Sequence, residues 1–225
     1  MKNKEVIVVA GGVGKRMGST IPKQFLRLKG EVILMRTIRL FYETDRSCNI
    51  IVTLPADEIE SWKSICEKES FSVPHTLVEG GKTRFHSVKN ALTKIQGNSL
   101  VAIHDGVRPL VSKDTIHSVF EKAEQEGNAI PVTDIHESIR FIGNTNTQNV
   151  DREQYKLVQT PQVFDSQIIS KAYQTNYQSN FTDDATVVES AGYQINTVHG
   201  NPENIKITTK KDLAIAEILL SFLES

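Results

Sequence analysis

The chain has 225 residues, 39% of them hydrophobic and 24% charged, which is enough to bury one core of ordinary size. Its 26 Lys and Arg against 27 Asp and Glu leave a formal charge of −1, so no broad basic field argues for nucleic acid, and any phosphate must be met by a local cluster. Cys48 and Cys66 lack Cys-x-x-Cys spacing, the opening Lys2-Asn3-Lys4-Glu5 is too polar for a signal peptide, and no apolar stretch approaches the ~20 residues of a membrane helix. The expectation is a cytoplasmic protein with neither a membrane nor a nucleic acid as partner.

Residues 6–9 read as a strand and 32–42 as a helix, with Ile33, Leu34, Ile38 and Phe41 at helical spacing. Residues 50–54 follow as a strand, 57–69 as a helix and 76–78 as a short strand. Then come a helix over 83–95 with Val88, Leu92 and Ile95 on one face, a strand over 100–103, a helix over 113–126 and a strand over 129–132. This alternation predicts an α/β fold, a Rossmann-like, mostly parallel sheet with helices on both faces and right-handed crossovers. The pattern breaks at about 134–155, where Ile139-Arg140-Phe141-Ile142, the turn Gly143-Asn144-Thr145-Asn146 and Asn149-Val150-Asp151-Arg152 predict a projecting β-hairpin arm. A two-stranded hairpin is marginal alone in water. A homodimer paired through the arm is therefore expected, the alternative being a hairpin packed on its own domain. The main fold resumes with 156–164, helices from Ser166 and Asp183, strands at 194–198 and 205–208, and a last helix over 210–223. Residues 1–225 thus read as one domain carrying the arm.

Chemistry concentrates at the strand ends, where ligands bind in open α/β sheets. Residues 10–24 read Ala-Gly-Gly-Val-Gly-Lys-Arg-Met-Gly-Ser-Thr-Ile-Pro-Lys-Gln, directly after the first strand. Glycines let backbone N–H groups approach a phosphate, and Arg16 and Lys23 can neutralise a polyphosphate. No Ser or Thr follows Lys15, as a Walker loop requires, and Met17 breaks the dinucleotide fingerprint begun by Gly12 and Gly14. A second glycine turn, Gly80-Gly81-Lys82-Thr83-Arg84, opens a helix that carries Ser87. It suits the reading of a base edge, or else Thr83 simply caps the helix. Asp105 in His104-Asp105-Gly106-Val107-Arg108-Pro109 offers hard carboxylate oxygen to Mg²⁺ or to a ribose. Arg108 either joins it at the ligand or forms a structural pair with it, and His104 reads as a hydrogen-bonded core histidine. Lys206, in the alternating stretch Ile205-Lys206-Ile207, needs an anionic partner.

The order Gly-x-Gly-x-Arg-Met-Gly … Pro-Lys-Gln-Phe-Leu resembles the sugar- and alditol-phosphate nucleotidyltransferases, and most closely the 2-C-methyl-D-erythritol 4-phosphate cytidylyltransferase family. The blocks Gly80–Val88, His104–Pro109, Val150-Asp151-Arg152, Gln159-Thr160-Pro161-Gln162-Val163-Phe164, Phe181-Thr182-Asp183-Asp184-Ala185 and Asn204–Thr208 resemble that family's, in its order, from residue 6 to about 217. The resemblance implies cytidylyl transfer from CTP with Mg²⁺. Arg16 and Lys23 would bear charge on the phosphates, and Arg152 and Lys206 would aim the acceptor's phosphate. Ala10, Gly11, Gly12, Gly14, Gly80, Gly81, Ser87, Asp105, Arg108, Thr160 and Thr182 would line the substrates, with Asp105 as metal ligand. If Arg152 lies on a swapped arm, it serves the partner's site. One departure is that the family's Pro-Val-x-Asp-Thr-Ile-Lys becomes Pro131-Val132-Thr133-Asp134-Ile135-His136-Glu137-Ser138-Ile139-Arg140, read here as a three-residue insertion. A sister enzyme acting on ribitol 5-phosphate, and a non-catalytic nucleotide-binding domain, are the alternatives.

Overall fold

The computed structural model describes residues 2–11 and 21–224. Its central strands are β1 (Asn3–Val9), β4 (Asn49–Leu54), β5 (Thr76–Glu79) and β6 (Ser99–Asp105), all parallel to one another in the order β6-β1-β4-β5. The apolar run of β1 is continuous because both of its faces are buried. Val6 and Val8 face a core that includes Leu34, Ile38 and Phe41 of α1 (Ile33–Thr44), Trp62 of α2 (Ile59–Lys68) and Val119 and Phe120 of α4 (Lys113–Glu126). Ile7 faces a second core, with Phe85 and Val88 of α3 (Arg84–Leu92), Ile169 of α5 (Ser166–Ala172) and Val188 of α6 (Asp184–Ser190).

The parallel register aligns the chemistry. Val9 stands opposite Asp105, and Leu54 opposite Glu79, so the turns after residues 9, 79 and 105 leave one edge of the sheet together. Beyond β6 the sheet becomes mixed. β11 (Gln162–Asp165) runs antiparallel between β6 and β7 (Asn128–Asp134), with Gln162 opposite Ile103, which carries the preceding Thr160 to the Asp105 end. β10 (Lys156–Val158) pairs antiparallel and β12 (Thr197–His199) parallel with β7. Residues 156–164, where the main fold resumes, thus hold β10 and most of β11. A two-residue ladder, β2 (Arg27–Leu28) with β3 (Glu31–Val32), leads into α1. Its Leu28 packs with Val107, Ile207 and Leu220 of the last helix, α7 (Lys210–Leu223), which Thr209 and Asp212 start with a capping box.

Three expectations need correction. Residues 205–208 form no strand; Ile207 makes a single backbone bond, to the Val107 carbonyl at 2.9 Å. The helix expected from residue 57 begins as a 3-10 turn, Ala56–Glu58. Thr83 does not cap α3 with its side chain, because its hydroxyl meets His86 Nδ1 at 2.8 Å instead. The hairpin is present as β8 (Arg140–Ile142) paired with β9 (Thr147–Asn149), with every residue of both strands exposed.

Candidate active site

A cavity of about 190 Å³ opens between the end of β1 and the start of α3. Ala10, Gly11, Gly81, Thr83 and Ser87 line it, together with the charged side chains of Lys23, Asp105 and Lys206. The glycine turn is a locked shape. Gly80 N–H donates to the Leu54 carbonyl at 2.7 Å, Gly81 N–H donates to Ser87 Oγ at 3.0 Å, and that hydroxyl donates to the Thr83 carbonyl at 3.1 Å. A Cβ on Gly81 would lie 2.3 Å from His86 Cβ, so only glycine fits there. Ser87 is 2% exposed and its hydroxyl shapes the turn, while the first N–H groups of α3 carry no side-chain cap.

Asp105 is the electrostatic centre. Lys206 Nζ stands 3.0 Å from its Oδ2, Arg108 Nε 3.2 Å from the same oxygen, and Arg84 Nε 3.5 Å from Oδ1. Burial pushes the Asp105 carboxyl up, but the pull of Arg84, Lys206 and Arg108 overrides it and holds the group well below the usual carboxylate range. Asp105 is thus the anionic partner that Lys206 requires. Arg84 is itself fixed from behind, since its guanidinium grips both oxygens of the fully buried Asp184 at 2.8 and 2.6 Å. Tyr173 donates its hydroxyl to Asp184 at 2.6 Å, and Gln162 Oε1 accepts from the Asp184 and Ala185 N–H groups.

A second cavity of about 400 Å³ lies on the other side of this cluster, lined by Gln159, Thr160, Thr182, Asp183, Thr186 and Glu189. Arg84, Asp105 and Lys206 border both cavities. A hydrogen-bond chain ties the wall together: Asp105 N–H donates to Thr160 Oγ1, Thr160 O–H to His104 Nδ1, and His104 Nε2–H to the Arg108 carbonyl. The two backbone partners fix this tautomer, because a carbonyl only accepts. His104 is fully buried and desolvation drives its pKa down to about 4, as a core histidine should behave. Arg108 also donates to the Asn204 carbonyl at 2.6 Å, and Asn204 Nδ2 to the Thr160 carbonyl at 2.8 Å, which locates the segment bearing Lys206.

Of the residues singled out from the sequence, Ala10, Gly11, Lys23, Gly81, Ser87, Asp105 and Lys206 meet at the first cavity, and Arg108, Thr160 and Thr182 at the second. Gly80 sits just behind Gly81. Gly12, Gly14 and Arg16 lie outside the described residues. Arg152, in the 3-10 turn Arg152–Gln154, is exposed, lines neither cavity and donates to the His136 carbonyl. Asp183, not Thr182, caps α6, accepting from Thr186 N–H at 3.0 Å. Sequence reasoning gave no role to Gln162, Tyr173, Asp184 or Asn204. The first, third and fourth stand inside quoted blocks, but no local spacing announces their partners. Among the described residues no three acidic, His or Cys side chains converge on a metal. Among the described residues Asp105 is the only carboxylate on the first cavity and its Oδ1 has just the long contact to Arg84, a donor set that fits Mg²⁺ held by one carboxylate plus substrate phosphates.

The family model for 2-C-methyl-D-erythritol 4-phosphate cytidylyltransferase matches residues 5–222. The chain is 50% identical over 218 residues to the protein of that name from Phocaeicola vulgatus, covering 97% of this chain and 100% of that one. It is 48% identical to the one from Bacteroides thetaiotaomicron, covering 96% and 99%. A solved 4-diphosphocytidyl-2C-methyl-D-erythritol synthase from Anaerococcus prevotii superposes with a TM-score of 0.84 at 27% identity, over 98% of this chain and 96% of that one.

Proposed function

The chain belongs to the 2-C-methyl-D-erythritol 4-phosphate cytidylyltransferase family, and from that membership we infer that it transfers CMP from CTP to 2-C-methyl-D-erythritol 4-phosphate in the non-mevalonate route to isoprenoid precursors. The observation that carries the reading at atomic scale is the common wall of Arg84, Asp105 and Lys206. A nucleotide in one cavity and a polyol phosphate in the other would meet across it. An oxygen of the acceptor's phosphate attacks the α-phosphorus of CTP, the bond to the β-phosphate breaks, and pyrophosphate leaves. Both reactants are anions, so the protein's task is positioning and charge stabilisation, and no covalent nucleophile is needed.

In this reading the turn of Gly80, Gly81 and Ser87 takes the cytosine edge, and Ala10, Gly11, Gly12 and Gly14 give backbone to the nucleotide. Arg16 and Lys23 bear charge on the phosphates. Lys206 faces the acceptor's phosphate together with Thr182, while Arg108, through Asn204, holds the lysine's segment in place. Mg²⁺, bound by Asp105 and phosphate oxygens, would supply charge neutralisation at the triphosphate.

We propose further that the working unit is a homodimer. Phe141 and Ile142 of the arm are 52% and 68% exposed, and Tyr155, Leu157 and Val158 beside it are also exposed. These apolar groups favour pairing with a second copy, which would bring Arg152 to the partner's acceptor cavity. The free thiols of Cys48 and Cys66 suit the cytoplasm; no helix among the described residues is long and apolar enough to cross a membrane.

Pyrophosphate release from CTP and Mg²⁺, with 2-C-methyl-D-erythritol 4-phosphate and ribitol 5-phosphate as parallel acceptors, tests the assignment. Release with the branched tetritol alone is expected. Release with ribitol phosphate alone would keep the mechanism and overturn the pathway.

A further inference from the structure

We propose that Gln24 is a further nucleotide-contacting residue, whose side-chain amide accepts a hydrogen bond from the nucleoside half of the nucleotide in the first cavity, between the end of β1 and the start of α3. The inference rests on the cytidylyltransferase reading and adds a specificity-determining contact to it. Gln24 borders that cavity beside Ala10, Gly11 and Ser87, yet it is only 1% exposed, and among the described residues its Oε1 has no hydrogen-bond partner. A buried amide oxygen without a partner is costly and uncommon in a folded protein. At the wall of a binding cavity the ligand is the natural source of the missing donor.

The backbone that carries the amide is held in place. Gln24 lies in the 3-10 turn Lys23–Phe25. Phe25 N–H donates to the Pro22 carbonyl at 2.9 Å, and the Leu26 carbonyl accepts from Ile33 N–H at 2.9 Å, which pins the turn at both ends. The Phe25 ring stacks on Trp62 with centroids 5.7 Å apart and planes at 14°. Trp62 is fully buried, and its indole donates to His75 Nε2 at 3.0 Å.

Chemistry then decides which half of the nucleotide is met. A glutamine amide has one acceptor oxygen and one donor nitrogen. In the orientation present the oxygen is the unpaired atom, so the group it meets must carry a hydrogen. An ionised triphosphate has only acceptors, whereas the ribose hydroxyls and the cytosine amine are donors. The two adjacent side chains therefore divide the ligand, the Lys23 ammonium serving charge and the Gln24 amide serving the nucleoside.

The test is calorimetric titration of the full chain and Gln24→Met with CTP, 2′-deoxy-CTP, 3′-deoxy-CTP, UTP and Mg-tripolyphosphate, beside thermal melts. We expect Gln24→Met to bind CTP about tenfold more weakly, the loss of one hydrogen bond. Its melting temperature should be unchanged or higher, since an unpaired buried polar group has gone. The penalty should vanish for the one analogue lacking the contacted donor, as in any double-mutant cycle, and binding of Mg-tripolyphosphate should be unaffected. Equal CTP affinity in the two proteins overturns the proposal. So does an equal loss for CTP and Mg-tripolyphosphate, or a lowered melting temperature that accounts for the weakened binding. Failure of the unsubstituted protein to bind CTP would instead refute the cytidylyltransferase reading itself.

Discussion

Lys206 and Asp184 touch the same cluster and should fail in opposite ways. Removing Lys206 leaves Asp105 with Arg84 and Arg108 still at its oxygens. Lys206→Met is therefore expected to melt close to the unsubstituted protein while kcat falls by about 10²–10³-fold, the usual loss for one preorganised group at a developing charge. Pyrophosphate-release kinetics beside a thermal melt read both quantities, and a rate loss no larger than the stability loss explains would make the lysine structural. Asp184 touches neither cavity, but it neutralises Arg84 in the interior. Asp184→Asn leaves the partly buried Arg84 guanidinium half-paired, which costs about 2–3 kcal/mol, below the range for a fully buried pair. Urea denaturation should show that loss, and KM for both substrates should rise because Arg84 borders both cavities. An unaltered urea midpoint would mean Arg84 has found another anion.

At the scale of elements the arm makes the sharpest demand. If β8 and β9 carry Arg152 to a neighbouring copy, then Arg152→Ala and Lys206→Met, each nearly inactive alone, complement when mixed. A mixed dimer pairs the intact Arg152 of one chain with the intact Lys206 of the other, so an equimolar mixture should regain about a quarter of full activity after subunit exchange. No recovery, with exchange verified, would return Arg152 to its own chain. This arm was legible beforehand because Gly143-Asn144-Thr145-Asn146 is strong turn chemistry, and β1, β4 and β6 were legible because burial on both faces writes a continuous apolar run. The short strands β10 and β12 were not resolved as they stand, since three residues carry no periodicity and their pairing with β7 defines them. Residues 205–208 alternate like a strand, but among the described residues no ladder partner faces them. The same divide runs through the site. The glycine turns and Asp105 announce themselves locally, whereas Arg84 and Asp184 are 100 residues apart and only the fold joins them. Thr83 shows a local rule losing, because His86 one turn away captured the hydroxyl expected to cap the helix.

For the whole molecule, the wall between the cavities is also the middle of the sheet, so its protonation governs global stability. His104 lies on β6 with no exposed surface. Its two nitrogens are committed, one accepting from Thr160 and one donating to the Arg108 carbonyl. A second proton would have to displace the Thr160 bond in a desolvated position, which is why the folded pKa lies near 4. The unfolded histidine titrates near its ordinary value of about 6.5. As the pH falls through that value the unfolded chain gains a proton that the folded chain refuses, so stability is lost on acidification between about 6.5 and 4. The linked loss amounts to about 3 kcal/mol across that window. Asp105 acts in a separate window. Its carboxyl is depressed in the fold, so its contribution is complete above the ordinary carboxylate value and begins to fade only below about 4. Urea unfolding at pH 7, 5.5 and 4 (round settings bracketing the histidine window) should therefore show a steeper decline for the unsubstituted protein than for His104→Asn, which keeps an acceptor for Thr160 but cannot titrate. Parallel declines would place the acid sensitivity in the carboxylates and leave the His104–Thr160–Asp105 chain with a packing role alone.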